Sequence, residues 1–476
     1  MRSYSPAFRR SLGTAVFLSA LIAAGSARAQ APAGLPEDVA ATAASLHKQA
    51  LAGTRAYEIV RSLTVEVGPR PAGSKAHDAA VAWGLRTMKE LGFQNVHAEK
   101  ATLPHWVRGA ESGEIVSPYP QPVHLAALGG SVGTPEGGIE AQVIQVPSLE
   151  AVSKLDPAQV KGKIVFYDVH TKRSRDGSGY RDAVPVRGGG ASAAAKLGAV
   201  AVLIRSIGTD NNRTPHTGSM TYQDGVEKIP AAALSNPDAD LLAAQVASGK
   251  PVTFRLKLGA RTEPDVESAS VVGEIPGREK PEEIVLLGAH LDSWDLGTGA
   301  IDDAAGCGIM MEAARRIAQL PKKPRRTIRV VLYANEEFGV SGGRAYAEAH
   351  KGDLARHVMA AESDSGSAQV WRISSKVDPA KLPVVAALAK LLGLEQGDNE
   401  AGGGVDIGPL APARVPVIAL SQDMTTYFDY HHTANDTLDK VDAKGLDQNV
   451  AAWAAVAYAI AEMPGDLGRA PEATAN

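Results

Sequence analysis

The chain has 476 residues, of which 44% are hydrophobic and 21% are charged, and its formal net charge is −4. This length exceeds one ordinary domain, so we expect two domains or one domain with a large insertion. The composition is typical of a globular protein, and the lack of a basic surplus argues against a nucleic-acid partner.

Residues 1–29 have the pattern of an export signal. Basic residues precede an apolar run from Gly13 to Gly25, and Ala27-Arg28-Ala29 fits a cleavage site. The run is short for a membrane span, although an uncleaved anchor is the alternative. We therefore expect a periplasmic or secreted protein without membrane contact after signal cleavage. The single cysteine, Cys307, excludes an internal disulfide, and its small neighbours favour a buried packing role over a nucleophilic one.

The first elements of the mature chain are helical. Apolar periodicity predicts a helix over Asp38–Leu63, a turn-rich break at Gly68–Ser74 and a second helix over Lys75–Leu91. Val96–Leu103 follows as a strand.

The central part of the chain has a different sequence pattern. Short β-like runs at Ala141–Val146, Lys163–Tyr167 and Ala199–Ile204 alternate with polar, glycine-containing loops. We interpret residues 119–265 as a separate β-rich domain. Residues 30–118 and 266–466 then form a discontinuous main domain, and residues 467–476 a flexible tail.

From Val271 onward, predicted strands and helices alternate. The strands are Glu283–Ala289, Thr327–Ala334, Val358–Glu362 and Val415–Leu420, and the helices are Asp303–Leu320, Gly342–His350 and Ala443–Glu462. This alternation predicts an α/β fold with a mostly parallel or mixed sheet flanked by helices.

Five residues of metal-ligating type lie at or near the predicted strand ends: His290, Asp302, Glu337, Asp364 and His432. Ligands of open α/β sheets bind outside the carboxyl ends of the strands. Taken alone, Asp302 is equally well explained as a helix N-cap, and the two adjacent glutamates as an exposed pair. The set as a whole predicts a metal centre.

These residues have the composition of a two-zinc site. A carboxylate can bridge two metals, and Asp302 fits that position. We assign His290 and Asp364 to one zinc, and Glu337 and His432 to the other. Cobalt or manganese is the alternative in a site so rich in carboxylates.

Hydrolysis at such a centre needs a further carboxylate that accepts a proton from the metal-activated water. Glu336, beside Glu337, is the candidate general base. Asp292, two residues after His290, is a candidate acceptor for the other imidazole N–H.

The motifs that contain these residues resemble peptidase family M28, the co-catalytic zinc aminopeptidases and carboxypeptidases. They are Gly288–Ser293, Ile301–Gly306, Asn335–Gly339, Glu362–Asp364 and His432–Thr437. The resemblance implies a zinc-exopeptidase fold, two Zn²⁺ ions per chain, dipeptide or short-peptide substrates and a homodimer. Within the family, the chain is most similar to a carboxypeptidase subgroup. Val160–Phe166 and Ala193–Ala199 resemble parts of a protease-associated domain.

One position departs from many relatives, which have a tyrosine directly before the last histidine ligand. Here His431 occupies it, so His431 is the first candidate oxyanion donor and Tyr430 the second. The same doublet makes His431 the rival of His432 as metal ligand. Asp406, after three glycines, resembles part of a substrate-pocket loop, with a flexible surface turn as the alternative.

Other functions remain open on the same residues. A non-peptide zinc amidohydrolase or a glutaminyl cyclase would use this fold, and cyclases of this kind resemble single-zinc sites. A non-catalytic binding protein is the third alternative, and the complete ligand set argues against it.

Overall fold

The computed structural model describes residues 34–472. The predicted signal and the last four residues of the predicted tail lie outside this range. The helices are α1 (Glu37–Leu51), α2 (Ala56–Glu66), α3 (Lys75–Glu90), α4 (Leu149–Ser153), α5 (Pro157–Val160), α6 (Ser178–Ala195), α7 (Asn236–Ala247), α8 (Ala305–Ala318), α9 (Ser341–Ala349), α10 (Leu382–Leu392) and α11 (Ala443–Glu462).

The strands are β1 (Gln94–Val107), β2 (Glu111–Ser117), β3 (Gln121–Val123), β4 (Leu125–Ala127), β5 (Ile139–Val146), β6 (Ile164–Tyr167), β7 (Ala201–Arg205), β8 (Ala231–Leu234), β9 (Thr253–Leu258), β10 (Arg261–Ile275), β11 (Lys280–His290), β12 (Arg326–Tyr333), β13 (His357–Glu362), β14 (Val370–Lys376), β15 (Glu395–Gln396) and β16 (Val417–Gln422). They form two sheets of eight strands each.

The first sheet has the order β1-β10-β12-β11-β13-β16-β14-β15. Its central strands β12, β11, β13 and β16 are parallel, so their carboxyl ends lie at one edge. Helices cover both faces. Val285 and Leu287 of β11 pack with α8 and α11, whereas Leu286 faces the opposite core beside Tyr346 of α9. A strand buried on both faces must be apolar throughout, as β11 is from Ile284 to Ala289.

The second sheet, of order β3-β2-β9-β5-β6-β7-β8-β4, is built from residues 111–258, between β1 and β10 of the first sheet. We call these residues the second-sheet segment. It also contains the long helices α6 and α7, so the expectation of a β-rich unit is corrected to a mixed α/β one. Helix α6 was not predicted because Pro185 and the glycines at 188–190 are unfavourable in a helix. A Cβ at Gly190 would lie 3.0 Å from the Tyr167 ring, so any larger residue would require that ring to shift.

Further details differ from the sequence-based expectations. The first predicted helix is two helices, separated at Gly53, whose φ of 135° favours glycine. Strand β14 and helix α10 were not predicted. The expected flexible tail is packed where the structure describes it. Leu467 is fully buried, and the Arg469 guanidinium donates to the main-chain carbonyl of His357 at 3.1 Å.

Among the described helices, none combines the length and apolar character needed to cross a membrane.

Candidate metal centre

The carboxyl edge of the first sheet brings the predicted ligands together. His290 is the last residue of β11, Glu337 follows β12 and Asp364 follows β13. Asp302 lies in the irregular turn Ala300–Ala304 before α8, and His432 in the loop after β16. All are buried except Asp364, which is half-buried.

The five side chains form two groups that share Asp302. In the first, Asp302 Oδ1 lies 3.0 Å from His290 Nε2, which is 3.5 Å from Asp364 Oδ1. In the second, Asp302 Oδ2 lies 3.2 Å from His432 Nε2, which is 3.0 Å from Glu337 Oε2. Within each group the candidate ligand atoms all lie within 4.8 Å of one another. The same holds for His290, Glu336 and Glu337.

This set of donors fits a pair of cations. Each group offers two carboxylates and one imidazole, the ligand types that zinc accepts. Glu337 Oε1 is buried without a hydrogen-bond partner. The Trp294 indole N–H donates to Glu337 Oε2 at 2.5 Å. Among residues 34–472, no lysine or arginine forms an ion pair with these carboxylates, and their ion-pair partners are histidines. Buried carboxylates without such partners favour a metal ion.

Asp303, not Asp302, anchors the start of α8, which corrects the expectation that Asp302 opens that helix. Asp303 Oδ1 accepts the Gly306 N–H at 2.9 Å, and Oδ2 accepts the His290 N–H at 3.1 Å. Helix α8 begins only at Ala305, and the peptide bond between the two aspartates is cis. Both Asp302 oxygens face histidines, His290 and His432.

Asp292 acts mainly on a different partner from the one predicted. Its carboxylate accepts the backbone N–H of Glu336 at 3.0 Å and that of Glu337 at 3.3 Å. His290 Nδ1 lies 3.2 Å from the Asp292 carbonyl oxygen and 3.5 Å from its carboxylate. Asp292 thus orients both the imidazole and the turn that carries the two glutamates.

Burial and charge perturb the acid–base properties of the site. Burial, together with Glu337 and Asp364, raises the pKa of Glu336 well above its usual value. Burial and Asp302 raise the pKa of Glu337 to about 7. Burial alone would lower the pKa of His432, but Glu337 and Asp302 raise it to about 9. The cluster holds more negative charge than its histidines balance, and a bound cation would lower these pKa values.

The histidine doublet has two distinct environments. His432 Nε2 lies near both Asp302 and Glu337, whereas His431 Nε2 lies 3.4 Å from Asp302 Oδ2 alone. His431 Nδ1 is engaged by His216 at 3.1 Å. The two rings of the doublet stack with centroids 3.5 Å apart. This geometry favours His432 as the ligand and leaves His431 facing the cavity.

A cavity of about 450 Å³ opens onto this cluster. Its lining includes Asp302, Glu336, Glu337, Asp364 and both histidines of the doublet. The second-sheet segment also contributes to the lining, with Tyr180, Arg181, Arg187 and Ser219. Neither Arg187 nor His216 was among the residues predicted to form the site. Both reach the site through the docking of distant parts of the chain.

Two predicted substrate contacts are placed elsewhere. Asp406 is fully buried, and its N–H donates to Glu362 Oε2 at 3.0 Å. Its neighbour Val405 lines the cavity instead. Tyr430 borders a separate, smaller cavity, whereas Tyr427 borders the main one. Neither predicted residue is therefore positioned to touch a substrate directly.

Cys307 is fully buried, and its Sγ donates to the His290 carbonyl at 3.1 Å. Burial raises the pKa of the thiol well above its usual value, so the packing role predicted for this residue is confirmed.

Comparisons with known proteins agree with this geometry. Residues 270–457 match peptidase family M28. The chain is 37% identical over 437 residues to carboxypeptidase Q of Mus musculus, which covers 91% of each chain. It is 37% identical to carboxypeptidase Q of Homo sapiens over 435 residues, covering 91% of this chain and 90% of that protein.

Solved structures share the fold. The crystal structure of a peptidase M28 precursor from Shewanella amazonensis has a TM-score of 0.90 and 46% identity, covering 92% of this chain and 99% of that one. A zinc aminopeptidase from Bacillus subtilis has a TM-score of 0.62 at 19% identity, covering 88% of this chain and 98% of that one.

The mixed α/β fold and these named relatives define the chain as a metallo-exopeptidase. It belongs to peptidase family M28.

Proposed function

We propose that the chain binds two zinc ions and hydrolyses dipeptides or other short peptides. The observation that carries the metal count is the position of Asp302, whose two oxygens face two different histidines at 3.0 and 3.2 Å. His290 and Asp364 would hold one ion, and Glu337 and His432 the other. When bound, such a pair supplies a Lewis acid and allows water to act as a nucleophile near neutral pH.

The chain's own residues would handle the protons. Glu336 faces the cavity and belongs to neither of the groups that contain Asp302. It is placed to accept a proton from the attacking water and to return it to the leaving amine. His431, at the same cavity, would donate a hydrogen bond to the oxygen of the tetrahedral intermediate.

Arg187 supports a substrate with a free carboxyl terminus. Its side chain is only 8% exposed and lines the cavity. The guanidinium donates to the Ser219 carbonyl at 3.1 Å and to the Tyr180 hydroxyl at 2.6 Å, and no carboxylate in residues 34–472 pairs with it. A buried cation without a counterion is unfavourable, and a peptide α-carboxylate would complete its coordination.

The size of the cavity supports short substrates. A volume of about 450 Å³ lies in the range of small-ligand sites, roughly 300–1,000 Å³. Arg187 and the carboxylate cluster line the same cavity, so the carboxyl terminus and the scissile bond of a short peptide would both be bound within it.

Three further proposals concern the whole protein. Residues 119–265 form a protease-associated domain, which the motifs Val160–Phe166 and Ala193–Ala199 support. The mature protein is exported, which the pattern of residues 1–29 supports. It acts as a homodimer, which rests on the family resemblance.

A dipeptide panel with free, amino-blocked and carboxyl-blocked termini tests the proposal, alongside metal analysis by mass spectrometry. We expect cleavage of the free dipeptides, loss of activity with a chelator, recovery with zinc and a metal content near two per chain. Efficient cleavage of carboxyl-amidated peptides would contradict the role given to Arg187. A metal content near one, together with cyclisation of peptides that begin with glutamine, would instead identify a cyclase.

A further inference from the structure

His216 of the second-sheet segment is fully buried and touches the metal-centre loop. Its Nε2 lies 3.1 Å from His431 Nδ1, and its own Nδ1 has no hydrogen-bond partner among the described residues. Two neutral imidazoles at this distance share one hydrogen, so either His216 or His431 is the donor.

The surroundings decide the direction of this bond. If His431 donated, its Nε2 lone pair would face Asp302 Oδ2 at 3.4 Å, and a buried N–H of His216 would have no acceptor. If His216 donates, His431 carries its hydrogen on Nε2, and only the acceptor Nδ1 of His216 stays unpartnered. An unpaired N–H and a lone pair aimed at a carboxylate both cost free energy, so the second arrangement is favoured.

Neighbouring contacts hold His216 in place. Its backbone N–H donates to Ser206 Oγ at 2.8 Å, and the next N–H, of Thr217, donates to the His432 carbonyl at 3.0 Å. Two consecutive residues of the second-sheet segment therefore contact the two consecutive histidines of the loop. The Thr217 hydroxyl also donates to the Ala127 carbonyl of β4 at 2.8 Å, which ties this loop to the second sheet of the same segment.

We propose that His216 is a positioning residue: it donates from Nε2 to His431 Nδ1 and so keeps an N–H on His431 Nε2, the ring atom that faces Asp302 and the candidate metal centre. This proposal rests on the proposed function, in which His431 stabilises the intermediate. It makes catalysis depend on a side chain of the second-sheet segment.

Variants of His216 test the role by kinetics. His216→Leu removes the donor at similar volume, and we expect kcat to fall by about 10²–10³, the cost of losing one oxyanion contact, while KM changes little. His216→Gln keeps an amide N–H near the Nε2 position and should recover most of kcat. His357→Gln is the matched control, because His357 is also fully buried but bonds to Tyr346 and the Asp353 carbonyl, away from the cavity.

A double-mutant comparison of His216 and His431 gives a second test of the positioning role. In a His431→Leu background, His216→Leu should cause little further loss of kcat, because residues that act as a unit are not additive. Equal losses in both backgrounds would overturn the proposal. Metal content must stay at the wild-type value, since loss of metal from His216→Leu would make His216 a ligand instead.

Nitrogen NMR of histidine-labelled, zinc-loaded protein measures the tautomer directly, with His431→Gln used to assign the signals. We expect His431 to be protonated at Nε2 in the wild type and to lose that single form in His216→Leu. Protonation at Nδ1 in the wild type would refute the proposal. This readout does not depend on peptide hydrolysis, so a failure of the proposed activity is distinguishable from a failure of this inference.

Discussion

The carboxylate of Asp292 holds the main chain of Glu336, whose N–H lies 3.0 Å from Asp292 Oδ1. An acid just after β11 thereby sets the turn that follows β12, and the same residue offers its carbonyl to His290 Nδ1 at 3.2 Å. One side chain outside both candidate ligand groups links a candidate ligand to the candidate base.

Asp292→Asn should therefore impair both metal binding and catalysis. The amide replaces one acceptor by an N–H donor that faces backbone N–H groups. Loss of such an outer partner typically costs about 10–100-fold in metal affinity or activity. Zinc affinity by competition with a chelator, together with kcat, measures the effect. Asp265→Asn, at an exposed aspartate of β10, is the control and should behave as the wild type.

The adjacent glutamates should respond differently to the same substitution. Glu336→Gln is expected to lower kcat by about 10²–10⁴ while both metals stay bound, because a general base is lost. Glu337→Gln should lose one metal equivalent. Metal analysis and kinetics on both variants separate the two outcomes. A normal kcat in Glu336→Gln would show that Glu336 is not the general base.

Arg187→Gln should weaken binding of peptides with a free carboxyl terminus. A hydrogen bond to a charged group contributes about 1.5–3 kcal/mol, which corresponds to roughly a tenfold to hundredfold rise in KM. Amidated peptides should show no such change, so the ratio of the two substrates isolates the contact. Arg255→Gln on the second sheet, at an exposed ion pair with Glu140, serves as the control. An equal effect on both substrates would indicate a structural role.

His357 should make folding stability depend on pH. Burial, helped by the charge of Arg329, lowers the pKa of His357 from 6.5 to about 4. Arg329 donates to the Tyr346 hydroxyl at 2.9 Å, and that hydroxyl lies 2.8 Å from His357 Nε2. Between these pKa values the unfolded chain binds the proton and the folded chain does not, so stability falls as the pH is lowered from 6.5 towards 4.

The difference between wild type and His357→Gln isolates this effect from other titrating groups. We expect the wild type to lose about 2–3 kcal/mol more than the variant between pH 7 and pH 4.5, from the free energy equivalent of one pKa unit. Urea unfolding at both pH values measures it. His170→Gln, at an exposed histidine, should keep the wild-type pH profile. Identical profiles for all three proteins would refute the prediction.

The placement of the predicted ligands followed from local signals. His290, Glu337 and Asp364 each lie within a few residues of the carboxyl end of a parallel strand, and those ends meet at one sheet edge. Buried strands such as β11 are recognisable as continuous apolar runs. Knowing the strands was therefore enough to know that these side chains converge.

Other features depend on packing that local patterns do not encode. Asp302 and Asp303 are chemically identical neighbours, and only the backbone turn decides which one accepts the Gly306 N–H in the first turn of α8. Arg187 lies in α6, a helix that the sequence did not predict because it contains a proline and several glycines. Arg187 reaches the cavity only because the second-sheet segment packs there. Asp406 follows a glycine-rich loop, which gives no sign that its carboxylate is buried.

The cavity takes the candidate metal ligands from one sheet and Arg187 and Tyr180 from residues 111–258. The candidate metal ligands and Arg187 are thereby encoded in separate stretches of the gene, whereas His216, in the same stretch as Arg187, contacts His431. We expect exchange of residues 111–258 between homologues to change which peptide ends are bound, and to preserve the rate of hydrolysis only where the exchanged stretch keeps a histidine at position 216.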